Sequence, residues 1–400
     1  MREGVSHQST AQLTLILGAV MALGPLAIDM YLPALPTLQS EFAASAARAQ
    51  HTLSAYLFGM AAGQLAFGPL ADRFGRKPPL LGGLAFFALA SAGCALSQSI
   101  GSLVALRFAQ ALGGSAGVVV VRSVIRDRFD VIQSARVLST MLLVMGVAPI
   151  LAPLAGGWIL VASSWRWIFW FLLAYALFGM AVGHFFLRES HPAENRSPSL
   201  LKAIGGFGPL ARDPAFLGPL LVFVASFGAF FAYLAAAPFV YIQHFGVPAE
   251  RFGLLFGAGA LGFVTVSQVN RRLVTGRGPR RVLGWGVAML AFAAASLLFF
   301  ALTALGGLMP VFLSLCVAIG SLGLISSNAS VIAMAPHGQR AGGASSLLGA
   351  GQSLTGVLTS AAVGWAPGSG PVPMAVIVAL CAAIALAAYV TLVKDERPGP

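Results

Sequence analysis

Two ionisable side chains sit inside long apolar runs of this 400-residue chain: Asp29 and Arg107. A charge within hydrocarbon costs about 2.5–3.5 kcal/mol on insertion scales, so an intramembrane ionisable group points to function. An acid whose charge is opposed by desolvation and favoured by a nearby arginine can take up and release a proton as its surroundings change. Asp29 lies about 17 residues into the first run and Arg107 about six into the fourth, which runs the opposite way. At 1.5 Å per residue both come to rest roughly 10 Å below the same surface, so a direct or water-mediated pair is expected. Tyr31, Tyr56, Phe58, Gln110, Met141, Met145, Phe230, Tyr233 and Asn328 are aromatic, polar or soft groups in the apolar runs. They suit an amphipathic cavity and are the candidate substrate-binding residues. Gly146, Pro149, Pro153, Gly156 and Gly157 form a segment where prolines break helix bonds and glycines allow close contact, a candidate hinge.

Other chemistries find no support. The histidines have no ligand spacing, and Cys94, Cys316 and Cys381 fall inside apolar runs, so neither a metal site nor a disulfide framework is expected. There is no phosphate-binding Gly-x-x-x-x-Gly-Lys-Ser/Thr loop and no His-Glu-x-x-His. No catalytic cluster suggests an enzyme and nothing resembles a channel filter. No cofactor is expected. Uphill transport would draw on an ion gradient, about 2.3 kcal/mol per proton at 100 mV.

The elements that hold these residues follow from composition. Hydrophobic residues make up 58% of the chain and charged ones 9%, against about 25% charged in a soluble domain. That balance is an all-α, polytopic membrane protein with the lipid bilayer as its partner. The net charge of +12 resides in short gaps between apolar runs, which excludes nucleic acid as the reason for it. A span needs roughly 20 apolar residues. Twelve are expected: 12–34, 51–71, 79–97, 101–122, 137–160, 166–187, 216–242, 252–273, 281–303, 308–333, 341–364 and 372–393. The first is too long for a cleaved signal peptide and is read as span 1. The polar stretch 188–215 separates an N-terminal six-helix bundle, 1–187, from a C-terminal one, 216–400. With both termini cytoplasmic, 20 of the 24 Lys and Arg lie on the cytoplasmic side and only Arg48, Arg166 and Arg251 outside, which fixes the expected orientation.

The loop after span 2 reads Gly68-Pro-Leu-Ala-Asp72-Arg73-Phe-Gly75-Arg76-Lys77, and the loop after span 8 is again basic and glycine-containing, with Asn270 where an acid could stand. The first of these resembles the signature loop of the major facilitator superfamily. Arg107-Phe-Ala-Gln110-Ala-Leu-Gly113 resembles the span-4 motif of its proton-coupled members, and Gly146 to Gly157 the span-5 antiporter motif. With Asp29-Met-Tyr-Leu-Pro33 and Ala341-Gly-Gly-Ala-Ser345, the whole chain is similar to the Bcr/CflA branch of twelve-span drug:proton antiporters. The resemblance implies two pseudo-symmetric six-helix bundles that alternate access to a midplane cavity. It implies proton coupling through Asp29 and Arg107. It also implies a conformational latch of Gly68, Asp72, Arg73, Gly75 and Arg76, with Asp72 aimed at the second bundle and the N-terminal end of span 11. The function it implies is efflux of small amphipathic compounds across the inner membrane of a bacterium, by a protein acting as a monomer. A dedicated exporter of a polar metabolite, such as a sugar, amino acid or peptide, is the alternative.

Overall fold

The computed structural model describes residues 10–129, 131–190, 192, 212–336, 341–365 and 370–393. Among them the chain forms twelve long helices and no strand: α1 Thr10–Asp29, α2 Ala46–Phe74, α3 Lys77–Leu96, α4 Ile100–Arg128, α5 Val131–Ala162, α6 Arg166–Phe186, α7 Pro214–Pro238, α8 Ala249–Arg277, α9 Pro279–Thr303, α10 Leu308–Met334, α11 Ala341–Trp365 and α12 Val372–Leu392. Each coincides with one expected apolar run. Most of the polar stretch 188–215 lies outside the described residues.

The ends differ from expectation where side-chain chemistry outweighs hydropathy. The first run, expected to continue to residue 34, breaks at Asp29. Pro33 and Pro36 have no N–H to offer the carbonyls four residues back, so the chain passes through a single tight turn, Leu32–Ala34, into a short helix, Leu35–Glu41. The second starts earlier, because the Ser45 hydroxyl accepts the Arg48 amide at 3.3 Å and caps the helix. It stops at Gly75, whose φ of 91° only glycine adopts without strain. Helix α4 runs on to Arg128 and α5 starts at Val131, so arginines expected in a loop extend the helices beyond the apolar core.

Helix pairs in the first half recur six helices later. Helices α2–α4, α3–α4, α3–α6, α1–α5 and α1–α6 pack together, as do α8–α10, α9–α10, α9–α12, α7–α11 and α7–α12. Two further contacts, α2 with α11 and α5 with α8, join the halves and are themselves exchanged by the same symmetry. Leu17, Leu84, Phe87, Val120 and Phe169 pack the first bundle, and Val222, Leu290, Leu297, Leu315 and Val378 the second.

The seam between the bundles is tight at the end opposite the basic loops. There Gln50 Nε2 donates to the Ala235 carbonyl at 3.2 Å, the hydroxyls of Ser54 and Ser360 share a hydrogen bond at 2.7 Å, and His51 lies edge-on to Trp365. Helices α5 and α8 touch backbone to backbone: a Cβ on Gly157 would stand 2.5 Å from the Ala249 carbonyl oxygen, and one on Gly253 2.5 Å from the Leu154 nitrogen. The contact of α2 with α11 continues towards the basic loops, where the Gln64 side-chain oxygen lies 3.1 Å from where a Gly349 side chain would begin.

Candidate functional site

Arg107 is fully buried inside the first bundle, walled by rings. Its guanidinium carbon stands 4.2 Å from the centre of the Tyr56 ring, 4.5 Å from Tyr31 and 5.7 Å from Phe169. Two helices, α2 and α6, and the turn after α1 supply these rings. Cation–π attraction in a desolvated setting contributes on the order of 2 kcal/mol per good ring, and it replaces the acid that a buried arginine would ordinarily require. Polar partners are few. Arg107 Nη1 donates to Gln110 Oε1 at 2.6 Å, Gln110 Nε2 donates to Ser91 Oγ at 2.8 Å, and Ser91 Oγ donates to the Phe87 carbonyl at 2.8 Å. Tyr31 is pinned by donating to Thr52 Oγ1 at 2.7 Å. Arg107 Nε and Nη2 and the Tyr56 hydroxyl have no hydrogen-bond partner among the described residues.

Asp29, also buried, ends α1 at the break. The expected direct pair with Arg107 is not formed in this conformation, because the Tyr31 and Tyr56 rings cover the guanidinium.

The cluster at the basic end is built differently. Arg76 is buried, with Nη1 on Asp72 Oδ1 at 2.6 Å and Nε on Asp127 Oδ2 at 2.8 Å. Burial works against its charge, but the hydrogen bonds it donates to Asp127 and Asp72 outweigh this and hold the proton more firmly than usual. Glu189 Oε1 and Oε2 accept the amides of Arg76 and Lys77 at 2.8 and 3.1 Å, which caps α3 with the first residues beyond α6. Breaking a buried ion pair from one side costs roughly 3–5 kcal/mol. Asp127→Ala is therefore expected to lower the melting temperature of the purified protein by several degrees, while Arg73→Ala, on an exposed side chain, leaves it unchanged. Equal melting of both variants and the parent would remove Asp127 from the clamp.

Residues 17–358 match the profile of the Major Facilitator Superfamily. The chain belongs to this superfamily. It is similar to a bicyclomycin resistance protein homolog of Haemophilus influenzae (34% identical, 96% of each chain) and to an uncharacterized MFS-type transporter, YdgK, of Bacillus subtilis (35% identical, 96% of each chain). The multidrug resistance protein MdtL of Escherichia coli is 32% identical over 62% of this chain and 63% of its own. Among solved structures, a D-xylose-proton symporter superposes with a TM-score of 0.77 at 15% identity, covering 97% of this chain and 98% of that one, which establishes the shared fold. The superfamily's architecture of two six-helix bundles is thus the architecture of this chain.

Within that superfamily frame, the structure moves several expected residues. Tyr31, Tyr56 and Gln110 enclose Arg107 instead of lining an open cavity. Phe58 is 51% exposed and packs on Phe108, on the outer face of α2 away from Tyr56. Two residues along a helix is about 200° around it, so neighbours in sequence face opposite ways. Asn328 is a clamp residue: its Nδ2 donates to Asn270 Oδ1 at 2.7 Å and to the Leu324 carbonyl, while Asn270 Nδ2 donates to Ser327 Oγ at 2.9 Å. Met141 is buried in the core around α5. Phe230 and Tyr233 do wall a small apolar cavity, with Ser226, Ala229, Leu315 and Ile319, inside the second bundle. Asp72 is 44% exposed and bonds Arg76 within its own bundle. Gly75 ends α2, and Arg73 lies over Phe74. Helix α5 passes unbroken through Pro153, while Gly156 meets the Met30 carbonyl and Gly157 meets α8. Met145, Gly146 and Pro149 lie outside the residues whose side chains are described. Phe169, Ser91, Asp127 and Glu189 were not anticipated. The Arg126-Asp127-Arg128 triplet was the available signal for Asp127, since an acid between two arginines at a span end needs a structural reason.

Proposed function

We propose that this protein exports small amphipathic compounds from a bacterial cell by proton antiport, as a monomer in the inner membrane with both termini cytoplasmic. One observation carries the reading: a fully buried arginine with unpartnered donors and a buried acid, Asp29, in the same helical bundle. Such an arrangement stores electrostatic cost that a proton or a substrate can relieve. Relatives named for bicyclomycin and multidrug resistance support the substrate class, and the bias of Lys and Arg supports the orientation.

Substrate enters from the cytoplasm or inner leaflet while Asp29 is ionised. The bundles then rock, the far seam parts, and a proton arriving from outside neutralises Asp29 and displaces the substrate. Gly68, Asp72, Arg73, Gly75 and Arg76 act as the latch where α2 meets α11. Asp29→Asn is expected to reduce proton-driven export of a fluorescent cation such as ethidium to the level of cells lacking the protein, with unchanged expression. Undiminished, pH-dependent export by this variant would remove Asp29 from the mechanism.

A further inference from the structure

We propose that the outer face of α9, at the α8–α9 loop, is a binding site for one anionic phospholipid, with Arg277 and Arg281 on its phosphate and an apolar trough under an acyl chain. The inference goes beyond the efflux reading and needs only that the chain lies in a bilayer. Helix α8 ends at Gly278, whose φ of 76° turns the chain back so that α9 starts at once. The turn sets the Arg277 guanidinium over the Trp285 ring, 5.4 Å from its centre. Arg281, exposed, stands one helical turn before Trp285 on the same face of α9. Both arginines therefore belong to the face that carries this exposed indole, a residue type that seats itself at the headgroup level of a membrane.

Among the described residues no carboxylate pairs with Arg277 or Arg281. The first half treats the cations of its corresponding loop differently: Arg76 is held between Asp72 and Asp127, and Lys77 Nζ donates to the His184 carbonyl at 2.6 Å. In the second half Arg280 is turned to the Val393 carbonyl beyond α12, which leaves Arg277 and Arg281 for a group from outside the chain. Helix α9 packs mainly on α10 and α12. Its remaining face is exposed at Trp285, Ala288, Phe292, Ala295 and Phe299, three or four residues apart. Rings alternate with alanines there, so the face is a shallow trough. From Trp285 to Phe299 it is about 21 Å long at 1.5 Å per residue, enough for an acyl chain through one leaflet of a hydrocarbon core about 30 Å thick. Guanidinium forks match the paired oxygens of a phosphate. A zwitterionic lipid also carries a phosphate, but its own ammonium opposes the arginines, so a net negative headgroup is the one that fits.

The test is native mass spectrometry of the full chain in detergent, titrated with phosphatidylglycerol or with phosphatidylcholine of the same chains. The parent should bind a first phosphatidylglycerol more tightly than phosphatidylcholine. An arginine near the membrane surface is worth about fivefold in affinity for anionic lipid, so Arg277→Gln with Arg281→Gln should weaken this first binding about 30-fold. Arg271→Gln with Arg272→Gln removes the same charge from exposed positions on the same end of α8 and should leave it unchanged. Ala288→Trp fills the trough without touching a charge and should weaken the binding as well. Excess inorganic phosphate should not displace the lipid. Equal losses in the two double variants, or no loss in the first, overturn the site and reduce it to diffuse attraction by a basic surface. Displacement by inorganic phosphate, or undiminished binding in Ala288→Trp, overturns the lipid as the occupant. Export enters none of these readings, so they stand apart from failure of the efflux proposal, which would appear in Asp29→Asn.

Discussion

Arg107→Met is expected to abolish export while leaving the protein at least as stable as its parent. The guanidinium is fully buried, and among the described residues only Gln110 accepts from it and two of its nitrogens have no partner. Replacing buried ionic groups by apolar ones of similar volume is neutral or stabilising by about 1–4 kcal/mol in measured cases. The faces of Tyr31, Tyr56 and Phe169 offer a methionine thioether favourable contacts. Arg107→Lys should be equally inactive, because an ammonium cannot lie flat between rings as a planar guanidinium does. Thermal unfolding read by size-exclusion chromatography, set beside efflux in whole cells, decides the matter. A variant that is both unstable and inactive would make Arg107 a structural residue, and one that exports normally would remove it from coupling.

The second large effect is expected at neighbouring glycines with different outcomes. A Cβ on Gly156 would stand 2.0 Å from the Met30 carbonyl oxygen, and one on Gly157 2.5 Å from that of Ala249. The first contact is internal to the N-terminal bundle and exists whenever that bundle is folded, so Gly156→Leu should prevent accumulation of folded protein. The second crosses the seam and exists only while the far end is closed. Overpacking costs roughly 1–3 kcal/mol, and a penalty of that size charged to one of two states shifts their ratio about 5–150-fold. Gly157→Leu should therefore express, lose export, and hold the far end open. Labelling of a cysteine placed at Ser54, which bonds Ser360 across the seam, by a membrane-impermeant maleimide reads this directly. Faster labelling in Gly157→Leu than in the parent is the expected result. Equal labelling would mean that the Ala249 contact does not hold the seam shut.

Much of this architecture is legible from apolar runs because lipid demands them. All twelve helices lie where roughly 20 apolar residues recur, and their basic gaps lie at one end. The helix ends were harder, since they depend on single groups: the Ser45 cap, the missing N–H of Pro33, the positive φ of Gly75. The site was legible by residue type and illegible by facing. Asp29 and Arg107 declare themselves by their cost in hydrocarbon. Tyr56 and Phe58 are equally plausible neighbours from sequence, yet one touches the guanidinium and the other points outward. A helix apolar all around its circumference carries no periodic mark of its inner face. Asp127 and Glu189 escaped notice because charges at span ends are ordinary, and only tertiary packing shows that both hold Arg76 and its loop.

The charged clamp at the basic end also sets an order of construction. Asp72, Arg76 and Asp127 belong to α2, the loop after it and α4, and Glu189 and Ser190 close over them from the first residues after α6. Every member of the clamp is therefore encoded by residue 190, before any part of the second bundle exists on the ribosome. Domains fold as units, the N-terminal one first during synthesis. The first half can seal its own charges and wait, complete, while the matching half, tied by the neutral Asn270, Asn328 and Ser327, is still being threaded into the membrane.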